Sequence, residues 1–136
     1  MSNSSDRVYC DEPYVAIRWD SVGGWVVAEW RSWANSVEFR AACEQALQAV
    51  IENHASKWLM DGRALRVIVE TDQRWLAENW GPRMVRAGVR HSALVMPKSG
   101  LASLTVENVS AAHRLDLEQR QWFATLEEAK TWLSKS

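Results

Sequence analysis

Much of what would mark a specialised protein is missing from these 136 residues. Cysteine is limited to Cys10 and Cys43, far apart and in no metal-type or redox-type spacing, which argues against a disulfide framework or zinc module. Cys43 falls on the apolar stripe of an expected helix and reads as a small buried hydrophobe. Charge of one sign is also missing: the formal net charge is −1. Nucleic acid is not expected as a partner, because a phosphate-binding surface needs clustered Lys and Arg. No run approaches the roughly 20 apolar residues that cross a bilayer, so no transmembrane segment is expected. The polar start, Met1 to Arg7, lacks the apolar core of a signal peptide. Residues 1–12 read as a flexible leader and 13–136 as one α/β domain, with cytoplasm the simplest location.

Catalytic patterns are absent as well. His54, His91 and His113 are scattered, with no pair at the i, i+4 spacing of a helical metal site. His91-Ser92 lacks the flanking glycines of a nucleophile elbow. Lys98-Ser99-Gly100 precedes an expected helix but is no P-loop; Ser99 reads first as an N-cap, and an anion held by Lys98 and Ser99 is the sharper alternative. No catalytic residue, metal or cofactor is assigned.

Tryptophan is plentiful instead, at nine residues. Each ring buries a large area and brings an N–H that needs a partner when enclosed. Such a load suits a bulky core, an aromatic pocket or a partner surface. Trp19 and Trp58 lie on apolar faces and read as core. Trp75 and Trp80 stand five apart on a helix and cannot both face one way, so one is a candidate to line a pocket or partner surface.

Tyr14 to Asp20 alternates as a half-buried strand, Gly23-Gly24 supplies the positive φ angles of a hairpin turn, and Trp25 to Trp30 returns. Asn35 or Ser36, with Glu38, caps a helix over Ser36 to Asn53, with Phe39, Cys43, Leu47, Val50 and Ile51 on its apolar face. Trp58-Leu59-Met60 and Ala93 to Met96 are short apolar runs that suit strands buried on both faces. Between them a helix starts near Thr71, is interrupted at Gly81-Pro82 and ends at Gly88; Leu65 to Glu70 is left open between strand and packed loop. A helix over Ser99 to Ala112, a strand within Leu115 to Phe123 and a helix opened by the Thr125–Glu128 capping box complete the chain. The order implies a mixed sheet, antiparallel first and parallel afterwards, packed with about four helices.

The chain resembles the STAS-like domains, the fold of bacterial anti-sigma-factor antagonists, and within them a STAS/SEC14-like branch. The matching residues are Trp30, Lys57 to Asp61, Asp72, Trp75, Trp80, Pro82-Arg83 and Gly88, then Phe123, Thr125, Glu128-Ala129 and Trp132-Leu133. The resemblance implies a non-catalytic regulatory or protein-interaction module, with a protein partner or self-association. Its alternative is a binder of a small apolar ligand or lipid; an enzyme comes last. The phosphorylatable hydroxyl that follows the corresponding strand in anti-sigma antagonists is replaced here by Gly62-Arg63, so that switch does not carry over. Asp61, at a strand's carboxyl end, and Arg63 beside it are the candidate ligand or partner contacts, with Trp75, Lys98 and Ser99. Arg63 could pair with Asp61 or hold an anionic group; the plainer and preferred reading is that Asp61 caps a turn and Arg63 makes a surface ion pair.

Overall fold

The computed structural model describes residues 6–65, 68–95 and 119–136. Six strands form one mixed sheet in sequential order: β1 (Arg7–Glu12), β2 (Val15–Asp20), β3 (Trp25–Trp30), β4 (Lys57–Asp61), β5 (His91–Val95) and β6 (Gln119–Phe123). β1, β2 and β3 pair antiparallel in succession, and β3 to β6 are mutually parallel. That is the expected mixed α/β topology. The described residues contribute three helical units, against an expected total of about four. The expected helix over 99–112, and with it Lys98 and Ser99, lies outside the described residues.

The N-terminal residues correct the reading of a leader. Arg7–Glu12 is an edge strand, interrupted between Val8 and Cys10, where the register with β2 shifts. Its side chains are anchored: Arg7 Nη1 and the Tyr9 hydroxyl donate to Glu52 at 2.9 and 2.7 Å, and Asp6 accepts from the Ser21 backbone at 2.7 Å. A polar strand with one partner shows little apolar alternation, which is why composition marked it as loose.

The β2–β3 hairpin forms where expected, but its turn differs from a tight one with positive φ at both glycines. Asp20 Oδ1 accepts from the N–H of Val22 and Gly23, and Gly24 alone takes a positive φ, of 77°. Gly23 answers a different need, because a Cβ there would lie 2.5 Å from the Trp25 ring.

Helix α1 (Ser36–Asn53) begins on a complete capping box between Asn35 and Glu38, satisfying two backbone donors reciprocally. Its buried stripe runs from Phe39 to Val50, but Ile51 is half exposed and leaves the expected face. α2 (Glu70–Trp75) continues through a π-turn (Leu76–Trp80) into α3 (Gly81–Ala87). Pro82 has no N–H and its ring crowds the carbonyl one turn back, so a regular helix cannot pass. The wider turn absorbs this: the Gly81 N–H reaches back to the Leu76 carbonyl. Gly88 then closes α3 at φ 120°, a conformation open to glycine. α4 (Leu126–Ser134) starts with half of its expected box, Thr125 accepting from the Glu128 N–H while the Glu128 carboxylate turns to the Thr125 hydroxyl.

Three layers result. On one face of the sheet, Val15, Ile17, Val26, Ala28, Trp30, Trp58 and Leu94 meet α1 and the α2–α3 unit. On the other, Trp25, Val27, Leu59, Ala93 and Val95 meet Ala129 and Leu133 of α4. Trp58 is core as expected, whereas Trp19 is only partly buried at the margin. No described helix is long and apolar enough to cross a membrane.

Candidate functional site

The first layer does not close completely. Between the sheet and α1 with its neighbouring π-turn lies a cavity of about 90 Å³, several times the space one water needs. Its floor is sheet: Ile17, Ala28, Trp30, Trp58, Met60, Ser92, Leu94 and Arg120. Its roof comes from Phe39, Ala42, Cys43 and Ala46 of α1 and from Leu76, Trp80, Gly81 and Met84. Small residues on α1 make the room, and aromatic rings give it flat walls.

The rings are held in place. Trp30 stacks on Phe39, with centroids 5.2 Å apart and planes at 22°. Trp58 meets Trp80 edge to face at 5.6 Å and 68°, a geometry that aromatic quadrupoles favour. Trp80 Nε1 donates to the Cys43 carbonyl of α1 at 2.7 Å, which fixes the π-turn against the helix. Cys43 is buried in the wall; burial first, then the charges of Glu44 and Asp72, push its thiol pKa up, so it serves as an apolar lining group and not a nucleophile.

The sequence-derived candidates lie elsewhere. Asp61 ends β4 as expected, but its side chain turns to the opposite face. There Arg63 grips it through Nε to Oδ1 at 2.9 Å and Nη2 to Oδ2 at 2.8 Å. Burial pushes the Asp61 carboxyl up, but the Arg63 side-chain and backbone hydrogen bonds, its charge and that of Lys130 outweigh this and hold the pKa below the ordinary carboxylate value. This is the expected capped turn and ion pair. The pair borders a mixed-charge recess of about 80 Å³, with Arg18, Asp20, Glu29 and Lys130 around it.

Trp75 joins neither space. It lies beneath the Arg40 guanidinium, 5.1 Å from the ring centroid, while Arg40 Nε also donates to buried Asp72 at 2.7 Å. Asp72 accepts from Ser36 Oγ at 2.6 Å as well, so this cluster joins the starts of α1 and α2. Of the two tryptophans five apart, Trp80 is therefore the one in the cavity wall. Sequence reasoning allowed for an apolar cavity but looked for it near Asp61, Arg63 or Ser99 and missed its position between the sheet and α1. The one available signal was Ser92, a polar residue inside an apolar parallel strand.

Among the described residues no group of acidic, histidine or cysteine side chains could hold a metal ion. No family model, curated protein or solved structure matches the chain.

Proposed function

We propose that this domain is a non-catalytic small-ligand binder, holding an apolar, ring-sized molecule between its sheet and α1. The carrying observation is the aromatic-walled cavity. Protein interiors pack like organic crystals, and a space of about 90 Å³ between the sheet and α1 departs from that packing. An apolar guest fills that space, as small apolar molecules do in dry engineered cavities. The reading keeps the SEC14-like side of the sequence resemblance but moves the site from Asp61 and Arg63 to the other face of the same strands.

Toluene, titrated into methyl-labelled protein, tests it. Saturable shifts are expected at the methyls of Ile17, Leu76 and Met84, and none at Leu59 or Leu133 behind the sheet. Ala46→Leu, which places a larger side chain in the cavity, should abolish the shifts while leaving the protein folded. Uniform small shifts on both faces, or wild-type shifts in the Ala46→Leu variant, would defeat the reading.

A second reading is a regulatory or protein-interaction module with a STAS-like sheet. It is favoured by Trp33 and Val37, large apolar side chains that remain 59% and 79% exposed around the start of α1, where an unpartnered tryptophan suits a docking surface. Sedimentation equilibrium tests its self-associating form: a concentration-dependent dimer lost on Trp33→Ser supports it, and a monomer at every concentration removes it.

A further inference from the structure

The cavity is apolar except along one row of its floor. Trp58 on β4, Ser92 on β5 and Arg120 on β6 are register partners across adjacent parallel strands, so they stand side by side on the cavity face. Ser92 is 2% exposed, and its hydroxyl makes no hydrogen bond among the described residues. Ser92 lines the cavity. A buried hydroxyl that finds no partner among the described residues around it is costly to keep there, and an apolar residue of the same size would serve the packing better. The position makes sense when something inside the cavity accepts the hydroxyl's hydrogen bond.

Resting on the ligand-binding reading above, we infer that the ligand is a small aromatic molecule with one oxygen acceptor, the ring lying between Trp58, Trp80 and Phe39 and the oxygen accepting from Ser92 Oγ. The flat walls select the ring. The single polar point selects one acceptor and fixes its orientation, as the few polar groups of apolar pockets do.

Methyl-detected titrations with toluene, acetophenone and benzoate separate the possibilities. Wild-type protein is expected to bind an oxygen-bearing probe about tenfold more tightly than toluene. Benzoate exceeding acetophenone identifies a carboxylate head, and the reverse order a neutral carbonyl. Ser92→Ala should bring the favoured probe to within about twofold of toluene while toluene affinity stays unchanged. Ser92→Cys, with a weaker donor in nearly the same volume, should fall between. Equal wild-type affinity for all three probes, or an oxygen preference that survives Ser92→Ala, overturns the inference while leaving the cavity reading intact. Failure of toluene itself to shift the cavity methyls removes the cavity reading, and this inference with it.

Discussion

Trp58→Ala is expected to lower the unfolding free energy by about 3–5 kcal/mol, the range for truncating a large buried aromatic. Trp58 is 7% exposed at the centre of the sheet and bears on Trp80 edge to face. Its loss removes the transfer free energy of the indole and the aromatic pairing with Trp80 of the π-turn. Trp58→Phe keeps a ring and should cost no more than about 1–2 kcal/mol. Urea unfolding of the three proteins measures both. The enlarged cavity has a second consequence: Trp58→Ala should accept a two-ring guest such as naphthalene that the wild type excludes. A loss below about 1 kcal/mol would mean that the wall yields freely and does not define the site.

Arg63→Ala should produce the other large effect, about 3 kcal/mol at neutral pH, near the low end for leaving a buried charge unpaired. The low end applies because the Arg63 side chain is 42% exposed while that of Asp61 is 7% exposed, so solvent already screens one partner. The pH dependence carries the sharper test. In wild type the Asp61 pKa is depressed on folding, so its contribution is present above the unfolded carboxylate pKa of about 3.9 and is lost as pH falls through the lower folded value. Without Arg63, burial, the largest single influence, is opposed only by the charge of Lys130, the smallest, and the folded pKa rises above the unfolded one. The variant should therefore regain stability relative to wild type as pH falls from neutrality toward the unfolded pKa. Asp61→Asn should flatten the dependence in both. Parallel stability curves for wild type and Arg63→Ala between pH 3 and 7 would show that the ion pair contributes little.

The features legible in the sequence are those set by a few adjacent residues. The Asn35–Glu38 box, the Gly88 cap, the hairpin and the short apolar runs of β4 and β5 all carry local chemistry, and each falls where that chemistry places it. The Asp61–Arg63 pair was legible for the same reason, being two residues apart on one strand end. The cavity was not, because it is a difference between two packed layers. No local pattern states that Ala42 and Ala46 of α1 lie over Trp58, Ser92 and Leu94 with room to spare. The central strands of its floor, β4 and β5, have apolar residues on both faces, which erases the alternation that would reveal which side Ser92 takes. The edge strand β1 failed oppositely: its chemistry is polar, and its order comes from distant Glu52 and Ser21.

The π-turn adds one residue to what would otherwise be a continuous helix from Glu70 to Ala87. Each residue of an α-helix turns about 100° and advances about 1.5 Å. Excising a single residue such as Ala77 would therefore rewind everything before it relative to Trp80 and Met84 by more than a quarter turn, carrying Leu76 and Trp75 away from their present sides. Substitution cannot achieve that, since it changes a side chain and leaves the phase of the helix untouched. The wall that Leu76, Trp80 and Met84 give the cavity is thus set partly by chain length, a property that substitution leaves untouched.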